Sequence, residues 1–371
     1  MRFCTTCVLP DSRPGLSIGA DGICAACRAH GERPRIDWAS RGAAFRQIAA
    51  RAKTHRRGYD ALVPVSGGKD STWQVVKCLE AGLRVLAVTW KTPARTEIGW
   101  RNLENLVGLG VDHIDYQVSP RVEKIFLRRS FERFGTTAIP MHMALFNIPL
   151  QLAERFRIPL VVWGEDSAVE YSGRNEPARG FRMDADWLRR HGVTHGTTAK
   201  HWVGSGLSEK DLSPYFGPSD EALARAGVSA VFLGSYFPWD PLESLRIAKA
   251  HGFRPRSEGP LTGYYDYADI DDEFIVLHHW LKWYKFGFTR LFDNLTLEIR
   301  NGRITRDRAL EIIRRRGDQT PRRAIKLFCR FVEKPEAWFY RVAESFRGPV
   351  WRRERGVWKI PGFPVTGWRW R

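Results

Sequence analysis

The chain has 371 residues, 43% of them hydrophobic and including 15 Trp and 21 Phe, enough for one large domain with appendages or for two domains. No uninterrupted apolar stretch is long enough to cross a bilayer, and the opening MRFCTTCVLPDSRPG has no apolar signal core, so a cytoplasmic protein without a membrane span is expected. The formal net charge of +18 favours phosphate-bearing partners, although the excess is spread along the chain and Arg outnumbers Lys, as biased composition alone produces.

Residues 1–36 read as a small module with few large aliphatic residues and little to form a core. Cys4-x2-Cys7 and Cys24-x2-Cys27 form two knuckles whose thiolates can surround a zinc ion tetrahedrally, as a closed structural site. An iron–sulfur cluster is the competing occupant of Cys4, Cys7, Cys24 and Cys27. Because such a module buries little and lies outside a sheet, it is a candidate docking surface for a partner. Residues 37–57 read as a basic amphipathic helix.

From residue 61 the pattern alternates. ALVPV (61–65) predicts a buried strand, residues 70–82 a helix ending at Gly82, and RVLAVTW (84–90) the next strand. A helix over 99–108, a strand over 113–118, a helix over 141–157 and a strand over 158–166 follow. Strands separated by helices of this length predict an α/β fold with a doubly wound parallel sheet. Ligands of such sheets bind beyond the carboxyl ends of the strands, so the residues after Val65, Trp90 and Trp163, Gly164 among them, line the expected site. Residues 167–228 look like an insertion over that site, and AVFLGSYFPWDP (230–241) supplies one more strand and a loop. The predicted units are a cysteine module (1–36), an α/β domain (37–250) and a helical C-terminal region (251–371).

PVSGGKDS (64–71) carries the strongest chemical signal. It lies between a buried strand and a helix, a geometry that aims free N–H groups and the positive end of the helix dipole at one point. Gly67 and Gly68 let backbone approach an anion, Ser66 and Ser71 add hydroxyl donors, Lys69 adds a charge, and Asp70 caps the helix or helps hold Mg2+. The segment does not fit the Walker pattern, because the first glycine is missing and Asp follows Lys. It matches S-G-G-x-D-S, the loop of the PP-loop ATP pyrophosphatases, and that resemblance implies cleavage of ATP between its α and β phosphates.

Further blocks resemble the N-acetyl sugar amidotransferases of the WbpG/PseA type, which serve bacterial surface-glycan synthesis (LPS O-antigen, pseudaminic or legionaminic acid). They are CTTCVLPDSRPG, GICAAC, PVSGGKDS, LVVWGEDSAVEY, GSYFPWDP, DIDDEFIVLHHWLKWYKFGFTR and LEIRNGRITRDRA. The resemblance implies conversion of an acetamido group on a nucleotide-sugar or nonulosonic acid into an acetamidino group. ATP with Mg2+ would adenylate the amide oxygen, and ammonia from separate glutaminase and cyclase-like subunits would replace it. Glu165 and Asp166 would hold Mg2+ or orient the nucleophile, Val88 and Trp90 would flank the adenine, and His278 and His279 would serve the sugar site or acid–base steps. Packing is an equal expectation for the two histidines and for Trp283, Tyr284 and Lys285, and helix capping is expected of Asp269, Asp271 and Asp272.

Two other functions compete. A tRNA-thiolating relative would share the loop and the knuckles, but Cys78 alone would have to carry sulfur, since no further cysteine pair is present. A nucleic-acid-binding protein with a vestigial loop would not need the intact Lys69 and Asp70. Cys78 and Cys329 read as buried core thiols. The C-terminal WRRERGVWKIPGFPVTGWRWR is expected to wrap the protein, burying Trp351, Trp358, Trp368 and Trp370 while its arginines face water.

Overall fold

The computed structural model describes residues 1–53, 58–164, 188 and 193–370. Two short helices, α1 (Ala25–Gly31) and α2 (Trp38–Ala52), precede the sheet. Strands β1 (Ala61–Pro64), β2 (Val85–Trp90), β3 (Asp112–Tyr116), β4 (Leu160–Trp163) and β5 (Ser229–Phe232) form it. All neighbours are parallel and the order is β3-β2-β1-β4-β5. The chain therefore winds outward from β1 in one direction and then returns to its other side. The crevice between the carboxyl ends of β1 and β4 is the topological switch point.

Successive side chains on a strand point to opposite faces, and the core divides accordingly. Leu62, Leu86, Val88, Val161, Trp163 and Phe232 pack on one face, together with α5 (Pro120–Phe134) and α6 (Ala138–Phe156). Ala61, Val63, Val85, Ala87, Leu160 and Val162 pack on the other, against α2 and α3 (Lys69–Glu80), with α4 (Glu97–Val107) alongside. Both faces are covered, which is why β1, β2 and β4 are runs of apolar residues rather than alternating ones.

The five-stranded parallel sheet with flanking helices is thus the expected doubly wound fold. Helix α5 was not among the expected elements. RVEKIFLRRSFERF is so rich in charge that its apolar stripe, Val122, Phe126, Leu127 and Phe131, is diluted, yet that stripe is fully buried. Of the expected insertion, Leu188 and residues 193–228 are described. Its Trp202 and Tyr215 pack against Phe126, at ring distances of 4.9 and 5.0 Å, and so extend the α5–α6 core.

The short helix α7 (Asp220–Arg225) precedes β5, and beyond β5 helix α8 (Pro241–Ala250) packs on α3. The helical C-terminal region contains α9 (Ile275–Phe286), α10 (Arg290–Arg300), α11 (Arg306–Arg316), α12 (Arg322–Phe331) and α13 (Glu336–Ser345). The cysteine module corrects an expectation, since it does not stand apart. Val8, Leu9, Leu16 and Ile18 share one core with Phe288, Leu291, Phe292 and Leu295 of the α9–α10 region and with Ala309 and Ile313 of α11. Arg13 reaches the fully buried Asp293 at 3.1 Å, and Arg306 donates to the carbonyls of Cys4 and Cys7. The C-terminal tail wraps as expected in outline. Trp351 is buried and Trp358, Trp368 and Trp370 are half-buried, while Arg352, Arg353, Arg355 and Arg369 are exposed. Among the described residues no helix is long and apolar enough to cross a membrane.

Candidate active site

The loop between β1 and α3 is shaped by two close approaches. Gly67 has φ +86°, and a Cβ there would lie 2.7 Å from the backbone nitrogen of Leu103 and 2.8 Å from the carbonyl of Gly99, both in α4. Only glycine suits that position. The hydroxyls brace the turn: Ser66 N–H donates to Ser71 Oγ at 3.0 Å and Gly68 N–H donates to Ser66 Oγ at 3.3 Å. Gly68 occupies the N-cap position of α3 and makes no side-chain cap, so the helix opens with free N–H groups behind the loop.

Lys69 is 5% exposed, bonds the Asp70 carboxylate, and lies over the rings of Trp239 and Tyr267 at 5.7 and 5.9 Å. Trp239 Nε1 donates to the other carboxylate oxygen of Asp70 at 3.0 Å. Asp70 is thereby aimed across the loop instead of capping α3. Trp239 and Tyr267 were not foreseen. Trp239 sits in the GSYFPWDP block, which marked a strand end without showing that its indole would reach 169 residues back along the chain.

A cavity of about 180 Å³ opens beside the loop, lined by Ser66, Gly68, Lys69, Asp70 and Ser71 on one side. Its far wall comes from Tyr265, Tyr267, Asp269, Asp271 and from Arg290 and Asn294 of α10. Asp269 and Asp271 therefore are not helix caps. Asp269 pairs with Arg290 at 2.8 Å and with His279 Nε2 at 3.4 Å. Burial would raise its carboxyl, but Arg290 and His279 hold it well below the usual carboxylate range. Asp271 is hydrogen-bonded to Ser66, and burial pushes its carboxyl up. Asp272 alone behaves as expected, accepting from Phe274 N–H at 2.9 Å ahead of α9. Burial raises it to about 6.

The remaining expected site residues separate into groups. Gly164 ends β4 across the switch point, and a Cβ there would meet the Gln74 side chain of α3 at 2.9 Å. Val88 is in the sheet core. Trp90 donates from Nε1 to Glu123 at 2.8 Å, and neither Val88 nor Trp90 lines the loop cavity. Glu165 and Asp166 lie outside the described residues. His279 reaches the site through Asp269, and its Nδ1 is buried without a hydrogen-bond partner among the described residues. His278 bonds Thr136 Oγ1 at 2.9 Å and does not line the cavity. Burial lowers both imidazoles, His279 to about 4, so both are neutral at pH 7. Trp283 is buried in aromatic packing. Cys78 is fully buried, with its thiol pushed up to about 12, and is no nucleophile.

Cys4, Cys7, Cys24 and Cys27 place their sulfurs within 4.8 Å of one another, the one such cluster of metal-ligating side chains among the described residues. Zn–S bonds near 2.3 Å in a tetrahedron require sulfurs about 3.8 Å apart. The Cys7–Cys24 separation is 3.8 Å. Backbone N–H groups of Cys7 and Cys24 donate to Cys4 Sγ at 3.4 and 3.3 Å, and Arg300 Nε donates to Cys27 Sγ at 3.4 Å. These donors stabilise thiolates, so the set fits a zinc-ribbon-like structural site.

No curated protein matches the sequence. The solved structure of NMN synthetase from Francisella tularensis aligns over 72% of this chain and 94% of its own, at 11% identity and a TM-score of 0.34, a likeness too weak to carry an argument. A family model described as "LPS biosynthesis protein WbpG-like, C-terminal domain" matches residues 258–361. That stretch supplies the far wall of the loop cavity, from Tyr265 to Leu297. Residues 258–361 are thus similar to a WbpG-like C-terminal domain, which supports the resemblance that the sequence blocks carry.

Proposed function

We propose that the protein is an ATP-dependent N-acetyl sugar amidotransferase of the ATP pyrophosphatase type, acting in bacterial surface-glycan synthesis. The observation that carries this reading is the shared cavity. The Ser66–Ser71 loop forms one wall and the WbpG-like domain forms the other, through Asp269, Asp271 and Arg290. An anion-binding helix start and a substrate-family domain would then act on one pocket.

In this mechanism the N–H groups of the loop and Lys69 bind the phosphates of ATP, and the helix dipole favours the charge of the leaving pyrophosphate. The acetamide oxygen of the sugar attacks the α-phosphorus, pyrophosphate leaves, and an O-adenylated imidate forms. Ammonia attacks the imidate carbon and AMP departs with the former acetamide oxygen, leaving an acetamidino group after proton loss. Arg290, held in place by Asp269, would face the anionic groups, and the neutral imidazole of His278 or His279 would accept a proton. Asp70, Glu165 and Asp166 would hold Mg2+, which would supply charge neutralisation for the phosphates. Val88 and Trp90 would flank the adenine from the neighbouring strand, and Gly164 would leave room at the switch point. The zinc module, the α/β domain and the helical region would be the working units, with ammonia supplied by glutaminase and cyclase-like partners. The buried Cys78 disfavours a sulfur-carrying tRNA enzyme.

The test is product analysis with Mg-ATP, ammonium and a panel of N-acetylated nucleotide-sugars and nonulosonic acids. AMP, pyrophosphate and a sugar about 1 Da lighter, the change when O becomes NH, are expected, and Lys69→Ala should abolish all three. ADP and phosphate as products, or pyrophosphate formed only with tRNA, would overturn the reading.

A further inference from the structure

A second recess lies away from the phosphate loop, where the chain's end folds back on the helical region. It encloses about 570 Å³ between the last turn of α11, the segment after α13 and the C-terminal tail. Its cationic lining comes from Arg314, Arg315, Arg316, Arg347 and Arg369, and its aromatic lining from Trp283, Tyr284, Trp351, Trp358, Trp368 and Trp370. Asp318 is the single carboxylate among them.

The arginines are not equivalent. Arg347 is committed to the framework, bidentate to Glu344 and lying over Tyr284, Trp351 and Trp358 at 4.9, 4.5 and 4.8 Å. Arg315 is bound by Glu311, and Arg316 donates to the Gly263 carbonyl at 2.9 Å. Arg314 and Arg369 have no carboxylate partner among the described residues, and both are exposed. A basic last turn complements the dipole of α11 without further purpose. That does not account for Arg369, brought from the end of the chain to the same recess.

The aromatic side is equally built. Trp351 is fixed by Nε1–H donation to the Tyr284 carbonyl at 2.8 Å and by edge-to-face contact with Trp283 at 5.0 Å. Trp368 and Trp370 pack edge-to-face with Phe363 at 5.1 and 5.2 Å. The indole N–H groups of Trp358, Trp368 and Trp370 make no hydrogen bond among the described residues. Fixed indoles offer a stacking platform and unused donors, and two uncommitted guanidiniums lie beside them. Bidentate guanidinium chemistry suits phosphate, a flat ring suits a base, and one carboxylate suits a ribose hydroxyl. A volume of this size falls within the range of small-molecule sites.

We propose that this recess binds a nucleoside diphosphate group, with its phosphates on Arg314 and Arg369 and its base against the tail indoles. The group has two sources: a free nucleotide, or the nucleotide end of a sugar-nucleotide. The second source alone rests on the function proposed above.

The tryptophans make the site its own reporter. UDP and GDP are titrated into the full-length protein while intrinsic fluorescence is followed, with pyrophosphate and uridine as partial ligands. Saturable quenching by both nucleotides is expected, tighter than by either partial ligand. The exposed double variant Arg314→Ala/Arg369→Ala should weaken it about tenfold or more. Lys69→Ala should leave it unchanged, which separates this site from the phosphate loop. A double variant that raises KM for a UDP-N-acetylhexosamine at unchanged kcat identifies the substrate's nucleotide end, and unchanged KM identifies a free nucleotide. Absence of saturable quenching, loss of quenching in Lys69→Ala, or full retention in the double variant would overturn the proposal. So would pyrophosphate binding as tightly as UDP, or an RNA oligomer displacing UDP at far lower concentration.

Discussion

The Ser66–Ser71 loop and the cysteine module are both built from short, glycine-punctuated turns, but they are held in opposite ways. In the loop the backbone turn itself is braced locally, although Asp70 also accepts from the distant Trp239. Ser66 and Ser71 bond each other's segment, Gly67 sits against α4, and β1 and α3 adjoin the loop in sequence. In the module, the four sulfurs are set by nearby N–H groups, yet the apolar side of the module belongs to α10 and α11. Arg13, Arg300 and Arg306 tie it there across more than 270 residues. A local frame tolerates damage elsewhere, whereas a shared core transmits it. Metal loss at the module should therefore disturb the wall that α10 gives to the loop cavity, while damage to the loop should leave the module intact.

The largest test of this contrast is Cys24→Ser. One zinc per chain is expected in the native protein by elemental analysis and none in the variant. Structural zinc contributes heavily to folding, so stability should fall by more than about 5 kcal/mol, and the helical region should melt with the module in calorimetry. Separate melting of the two would break the shared-core account. Arg13→Ala sharpens it. Asp293 is wholly buried between Arg13 and Lys282, and removing one partner of a buried charge costs about 3 kcal/mol. Zinc content should be retained, and a loss under about 1 kcal/mol in urea unfolding would show that the tie is incidental.

Gly67→Ala is the local counterpart. Positive φ and a clash with α4 backbone together predict a loss of about 2–3 kcal/mol, with ATP turnover reduced and zinc content unchanged. Wild-type turnover would show that the tight approach of α4 is not needed.

The smallest effect concerns Glu123, which accepts from Trp90 Nε1 and Tyr215 Oη at 2.8 and 3.3 Å. Burial raises its carboxyl to about 8. The folded state thus prefers the protonated form, and the stability it contributes is present below the ordinary carboxylate range and lost as pH rises through about 8. Glu123→Gln should leave the melting temperature nearly unchanged at pH 5 and raise it by a few degrees at pH 9. Equal shifts at both values would contradict the assignment.

How much of this was legible in the sequence follows the same division. Strands β1, β2 and β4 and the loop could be read because their signals are short-range: continuous apolar runs, then S-G-G-x-D-S. The clustering of Cys4, Cys7, Cys24 and Cys27 could be read from spacing alone. Helix α5 escaped because its charge masks its stripe. The far wall of the cavity escaped because nothing local distinguishes Asp269 and Asp271 from helix caps; only packing carries them to Ser66 and Arg290. The module's burial escaped for the same reason, since its partners Phe288, Leu291 and Ile313 read simply as the inner faces of other helices.

Adenylation of the acetamide oxygen is tested by following that oxygen. An N-acetyl sugar that turns over is labelled with 18O in its acetamide group and incubated with Mg-ATP and ammonium, and the AMP is analysed by mass spectrometry. Adenylation of the acetamide oxygen at the loop predicts that the label appears in AMP and is absent from pyrophosphate and from the acetamidino product. Unlabelled AMP, or label found in inorganic phosphate, would contradict it.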